Sequence, residues 1–333
     1  MIYIEMESTD AAFHFSVEEY VMEHFPSDET VMMIWQADNC AMLGCNQIAE
    51  AEIDIGYAEN ERIHIVRRSS GGGTIFTDMG NLLYTVILPH KDPPDEVRKN
   101  VADMIIKALR EMGIPAEIDG RNDILADGAK FSGMAQYTRH GRICTHGSLL
   151  YDTDLDKLAR VLTVDDAKIR SKALRSVRSR VTNIKKYLNP DYSIQEFLKL
   201  LKQRLFCNEK IIRHTLTDNA LAMIHQIYHE RYGNPSWTFG RAPMFTFHNS
   251  KRFAGGKVEI FLDIAKGDVI SCCIRGDFLG IIPIHGLEEV LTGTEFRYQA
   301  FVRALEEILI QPYLGNIGKD EFLSCIFGDR DVS

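Results

Sequence analysis

Two arginines, two serines and three glycines stand together in the stretch Arg67 to Asn81, RRSSGGGTIFTDMGN. Successive glycines let the backbone come close to a ligand, because no side chain holds it off. The guanidinium groups bring positive charge to the same place, and unpaired N–H groups of such a loop can hold an anion. A flexible turn is the plainer reading of a glycine run. The flanks point instead to a rigid mount: IHIVRR before the loop and NLLYTVILP after it are apolar and β-branched, so it lies between two strands.

Further along, NDILADGAKFSGMAQ places Asp127 and Gly128 between two alternating runs, the strongest short-range hairpin signal. Lys130 then stands just past the turn, able to reach over a neighbouring site. HGRICTHGSLLYD reads as the next strand, with Cys144 and His146 on one face by the period of two. His225 and His229 are four apart on a predicted helix, the spacing of zinc ligands. Gln226 takes the place a general-base glutamate would have, so they read as partly exposed helix histidines. No GxxxxGK[ST] loop, GxGxxG fingerprint or GxSxG elbow occurs, so the triple glycine belongs to none of these motifs.

The elements that must carry these residues are legible in outline. MIYIE predicts a strand, and Ser8, Thr9 and Asp10 offer caps for a helix through about Met22, with Phe13, Val17, Tyr20 and Val21 toward the core. VMMIWQ and CAMLGCN predict an antiparallel pair across a tight turn at Ala37 to Asn39. Glu52 to Glu59 predicts a short helix, Glu96 to Met112 a longer one closed by Gly113, and IPAEID a strand. Helices are also predicted for Ser193 to Phe206 and Asp218 to Tyr232. Gly233 to Pro243, rich in glycine and proline, marks a boundary. Beyond it come β-hairpins, then helical Leu287 to Leu291 and Glu295 to Ile310. The division is 1–240 and 245–333, the second a small α+β domain.

Composition narrows the function. With 333 residues and 45% of them hydrophobic, the chain can bury a substantial core over about two domains. A formal charge of -9 argues against a general nucleic-acid binder. Seven cysteines without CxxC spacing read as reduced thiols, and no apolar run reaches the length of a membrane span. A soluble, cytoplasmic protein is expected. Against this acidity, Ala167 to Lys186 holds eight basic residues and no acidic one. Such a run is either a solvated face or a functional loop.

At this point the sequence resembles the lipoate–protein ligases, relatives of the biotin ligases and octanoyltransferases. The family pattern RRxSGGGxxxxDxGN is met by RRSSGGGTIFTDMGN, ND by Asn122 and Asp123, KxSGxA by KFSGMA, HGxLL by HGSLL, and SVRSRVTN by Ser176 to Asn183. The resemblance runs from the first strand to the end, WTFGRAP and the terminal region being similar to the linker and accessory domain of the bacterial ligases. It implies an α+β fold: a large mixed-sheet catalytic domain of the biotin/lipoate ligase type plus the small C-terminal domain.

The activity implied is activation of lipoate or octanoate with ATP and Mg2+ as acyl-AMP, then transfer to a lysine of an acceptor domain. The acceptors implied are lipoyl domains of 2-oxoacid dehydrogenase complexes or the glycine cleavage H protein, with no nucleic acid or membrane. By resemblance, Lys130 contacts the acyl carboxylate and the phosphate, and Arg68 holds nucleotide or acyl group. Ser70, Gly71, Gly72, Gly73, Thr74, Ile75, Phe76, Thr77, Asp78 and Asn81 bind the adenylate, together with Asn122, Ser132, Gly133, Ala135, His146, Gly147 and Arg180. Asp123 is placed with the catalytic residues, and Asp78 and Asp123 are candidates for magnesium or for steering the incoming amine. The basic run resembles a loop closing over the acyl-adenylate. Thr77 departs from the histidine common there, which leaves acyl preference open. A rival on the same fold is a transferase using Cys144 as acyl carrier without ATP. Two further function classes are a non-catalytic binding protein and a binder of nucleic acid through the basic run.

Overall fold

The computed structural model describes residues 1–26, 28–47, 49–120, 122–162, 180–188, 191–207, 210–239, 246–265 and 267–328. Most of the basic run, Lys168 to Arg178, and the GRAP part of the predicted linker lie outside them.

The N-terminal strands are β1 (Ile2–Glu5), β2 (Val31–Trp35), β3 (Cys40–Leu43), β4 (His64–Arg67), β5 (Ile75–Thr77), β6 (Asn81–Pro89), β7 (Ala116–Asp119), β8 (Asp123–Ala126), β9 (Ala129–Arg139), β10 (Arg142–Leu150) and β11 (Ile212–His214). Among the described residues, eight form one mixed sheet in the order β11-β1-β2-β6-β10-β9-β8-β7, and β4-β3-β5 form a second, small sheet. The glycine-rich loop leaves β4 as IHIVRR predicts, but the expected next strand, NLLYTVILP, is β6: the short strand β5 intervenes, held by pairing with β3.

Helix α1 (Ala11–His24) starts where Asp10 accepts hydrogen bonds from the N–H groups of Ala12 and Phe13, a side-chain N-cap. It covers one face of the large sheet, burying Val17 and Val21 against Met33, Leu83 and Ile87. The helices Pro94–Glu111 and Ile194–Leu205 cover the other face, over Leu82, Tyr84 and Val86. Alternation along β6 therefore feeds two cores, which accounts for its near-continuous burial. Each fully buried valine or leucine here contributes about 1.5–3 kcal/mol.

The predicted antiparallel pairing of VMMIWQ with CAMLGCN is not what forms. β2 pairs with β1 and β6, whereas β3 pairs with β4 and β5 in the other sheet. Asn39 explains the divergence: it adopts φ 42°, and its amide donates to the carbonyls of Glu61 and Arg62, which draws the chain toward β4.

The C-terminal part has a core of its own, drawn from Val258 to Ile326. A meander of β12 (Phe247–Phe253), β13 (Gly256–Ala265) and β14 (Asp268–Gly276) packs against helices His285–Leu291, Tyr298–Ala304, Gln311–Leu314 and Lys319–Phe327. The predicted helix from Glu295 to Ile310 is shorter, Tyr298–Ala304, and Pro312 sits in the first turn of the next helix, where a missing N–H costs nothing. This part seats on the N-terminal body through backbone bonds. Gly276 N donates to Asn46 O at 2.8 Å, Gly72 N to Phe278 O at 3.1 Å, and Thr138 N to Ile281 O at 2.9 Å.

Candidate active site

Both arginines of the loop are buried and act on the backbone. Arg67 donates to the carbonyls of Gly44, Cys45 and Gln47, and on its other side to Trp237 and Thr238, which ties the helix Pro235–Phe239 to the end of β3. Arg68 donates to Ser70 Oγ at 3.0 Å and to the carbonyls of Met42, Gly71 and Gly73 at 2.9, 2.7 and 2.8 Å. Burial brings its guanidinium down to about 10, and it stays charged at neutral pH. Arg68, expected to hold a ligand, thus shapes the loop first and adds its charge to the cavity wall. Gly72 has φ 89° and passes its N–H to Phe278, a turn that an L side chain would strain.

The hairpin forms at Asp127 and Gly128, whose φ values of 51° and 75° are those of the favoured two-residue turn. A register shift then falls between Ile124 and Leu125: Asp123 faces Gly133 and Ile124 faces Ser132, but Leu125 faces Lys130. Without that bulge Lys130 would face Ala126 and point into the core with Ile124. The extra residue, Phe131, is taken into the core instead, and Lys130 turns to the face of Asp123. Its Nζ lies 2.8 Å from Asp123 Oδ1. A Cβ on Gly133 would come within 3.2 Å of that amine, so the glycine of KFSGMA makes room for the lysine.

Loop and lysine face one cavity. Gly72, Gly73, Thr74 and Ile75 line it on one side, and Asn122, Lys130, Gly133 and Ala135 on the other. Arg68, His146 and Gly147 close it, and Phe15, Trp35, Met42, Leu83 and Met134 give it an apolar part. Thr74 is turned by a 2.9 Å bond to Gln47, and Asn122 by one to Met134 O. The motif before Asn183 also arrives here, for Val181 bridges Lys130 and Thr182 N donates to Lys130 O at 2.8 Å. Arg180, just ahead of them, is exposed.

Other expected residues are placed differently. Phe76 is packed in the core and Ser132 faces the core side of the sheet, so neither side chain lines the cavity. Ser70 and Gly71 are buried behind the lining residues. Asp78 accepts from Gly80 N at 2.9 Å and Asp154 N at 2.8 Å, which occupies both oxygens in a turn. Thr77 Oγ1 and both amide atoms of Asn81 are buried without a partner among the described residues. His225 packs on Phe13.

Cys144 is fully buried and does not line the cavity. Burial, with Glu18 adding to it, pushes its thiol well above the ordinary range, so the thiolate an acyl carrier needs is disfavoured. Glu18, Cys144 and His146 have ligand atoms within 4.8 Å of one another. Sequence reasoning missed Glu18 and Trp35. The available signal was an acid on the core-facing stripe of α1, one turn from Phe15 and Met22.

A glycine loop facing a lysine over a partly apolar cavity is an arrangement suited to acyl activation. The model of the lipoyl protein ligase A/B catalytic domain matches residues 10–206, and that of the bacterial lipoate protein ligase C-terminus matches 242–326. The chain is 35% identical to the lipoate-protein ligase LplJ of Bacillus subtilis, over 98% of this chain and 100% of that one. It is 32% identical to lipoate--protein ligase 1 of Staphylococcus aureus, over 95% and 96%. Among solved structures, an archaeal bi-partite lipoate protein ligase from Thermoplasma acidophilum, described with its E2 lipoyl domain, superposes with a TM-score of 0.67 at 25% identity, covering 74% of this chain and 98% of that one. LipL1 of P. falciparum, in complex with lipoate, shares the fold at a TM-score of 0.79 and 18% identity, covering 97% of each chain. The chain belongs to the lipoate-protein ligase family.

Proposed function

We propose that this chain is an ATP-dependent ligase that activates lipoate as acyl-AMP and passes the acyl group to a lysine of a lipoyl domain. The observation that carries the reading is the convergence of the glycine loop and Lys130 on one cavity. In the first step a carboxylate oxygen of the acid attacks the α-phosphorus of ATP and pyrophosphate leaves. Both reactants are anions, so the barrier falls where donors and positive charge stand ready for the charge that develops. The ammonium of Lys130 and the backbone N–H groups of Gly73 and Thr74 supply that field, while Phe15, Trp35 and Leu83 fit the acid's hydrocarbon part. In the second step the neutral amine of the acceptor lysine attacks the acyl carbonyl and AMP leaves.

Asp123, 32% exposed, is joined to the cavity through its ion pair with Lys130, whereas Asp78 is occupied by backbone N–H groups. Asp123 would be the protein carboxylate available to a Mg2+ ion that arrives with the nucleotide, and the ion would supply positive charge for the leaving group. The acceptor class is a lipoyl domain, in keeping with the relatives' names. Seven free cysteines support a reducing compartment, the cytoplasm, and no described helix is long and apolar enough to cross a membrane.

Incubation with labelled pyrophosphate, MgATP and lipoate tests the reading. Label enters ATP only when lipoate is present; exchange without the acid, or none with it, overturns the assignment.

A further inference from the structure

Helix α1 carries two consecutive buried carboxylates, Glu18 and Glu19, behind the glycine loop. Ionised carboxylates survive burial only when fully bonded, and these two are bonded toward the same target. Both oxygens of Glu18 lie 3.1 Å from His146 Nδ1, and His146 Nε2 lies 2.6 Å from Ser70 Oγ. Glu19 accepts the Tyr232 hydroxyl at 2.7 Å, and that hydroxyl oxygen lies 2.6 Å from Ser69 Oγ. Each glutamate thus reaches one serine of SSGGG through one ring.

The bonding is directional. With the Tyr232 hydroxyl donating to Glu19, its oxygen accepts from Ser69. With the His146 proton on Nδ1 toward Glu18, Nε2 accepts from Ser70, whose oxygen accepts in turn from Arg68 Nε at 3.0 Å. Outer partners complete both acids: Thr85 donates to Glu18 at 2.6 Å, and Arg139 and Arg231 donate to Glu19 at 2.6 and 3.0 Å. Ser70, His146 and Glu18 stand in the order of a serine nucleophile triad. Ser70, however, is wholly buried and engaged by Arg68, so it holds the loop instead of attacking.

We propose that α1 is the frame of the anion-binding loop, acting through these two relays, and that Glu18, Glu19 and Tyr232 are positioning residues for acyl-adenylate formation. The catalytic part rests on the function proposed above. The Tyr232 arm is the one to test, because Tyr232→Phe and Ser69→Ala each remove a single oxygen that lies outside the loop–lysine cavity.

Amide hydrogen exchange of the full chain gives a readout independent of activity. The buried residues 70–72, with Gly72 N–H bonded to Phe278 O, should lose protection by about tenfold in both variants, with α1 and β10 unchanged, and the double variant should be no worse than either single one. In lipoate-dependent pyrophosphate exchange, kcat/KM for MgATP should fall by about tenfold while KM for lipoate stays within about twofold, a split that general destabilisation does not produce. Unchanged loop protection, or additive losses in the double variant, overturns the relay. Loosened loops with kcat/KM for MgATP at the parent value overturn its positioning role. A parent chain that lacks exchange altogether counts against the proposed function, and loop protection still decides the relay.

Discussion

Lys130 Nζ and Asp123 Oδ1 stand 2.8 Å apart, with the two side chains 39% and 32% exposed. A pair this open to water holds together weakly, so under the proposed function an arriving carboxylate and phosphate would take the lysine without a large penalty. Until then the aspartate would hold the ammonium in place. Lys130→Ala should lower lipoate-dependent pyrophosphate exchange by at least about a thousandfold, and Asp123→Asn by only about tenfold, read as kcat at saturating MgATP. Equal losses in the two variants would contradict this division of roles.

Gly133 leaves space for the lysine, since an added Cβ would lie 3.2 Å from Nζ and 3.3 Å from Cε. Gly133→Val should displace the amine and reduce exchange by about ten- to a hundredfold, with a far-UV spectrum like the parent's. Parental kinetics in the variant would mean that the amine's present position does not matter.

Cys144→Ala should retain most ligase activity and lose about 1 kcal/mol of stability in urea unfolding, because the thiol is buried packing and no carrier. Loss of all transfer, with ATP dispensable in the parent, would restore the transferase reading.

Arg67 stitches the helix Pro235–Phe239 to the loop after β3 through five backbone carbonyls. Arg67→Ala removes donors from carbonyls that are themselves largely buried. Urea unfolding should show a loss of about 3–5 kcal/mol. A change below about 1 kcal/mol would show that water satisfies those carbonyls.

Burial, with Asp277 beside it, raises the Glu52 carboxyl from its ordinary 4.5 to about 7. Between those values the folded chain holds a proton that the unfolded chain has released. Stability from this group is therefore complete below about pH 4.5 and is lost as pH rises through about 7. Glu52→Gln should raise the unfolding midpoint at pH 8 and leave it unchanged at pH 4.5, the lower bound being the group's ordinary value. A gain of equal size at both values would assign the effect to something other than this proton.

The glycine loop and the Asp127-Gly128 hairpin were legible in the sequence because local chemistry decides them: glycine φ freedom and a two-residue turn. Lys130 was found for the same reason, yet the bulge that aims it was not, since swallowing Phe131 is a matter of core volume. The split of β2 from β3 also escaped, because it depends on Asn39 bonding to carbonyls some twenty residues away. Glu18 and Glu19 went unremarked on the helix through Met22, because only their distant partners His146 and Tyr232 give them a role. The seat of Phe278 on Gly72 joins two regions that no local pattern connects.

The most direct measurement is a crystal structure of the chain with a non-hydrolysable lipoyl-adenylate analogue. It should show the linker that replaces the phosphate held between Lys130 Nζ and the backbone N–H groups of Gly73 and Thr74, with the lipoyl tail against Trp35 and Leu83. An analogue seated in another cavity, or with Lys130 still on Asp123 and no contact to the loop, would contradict the account.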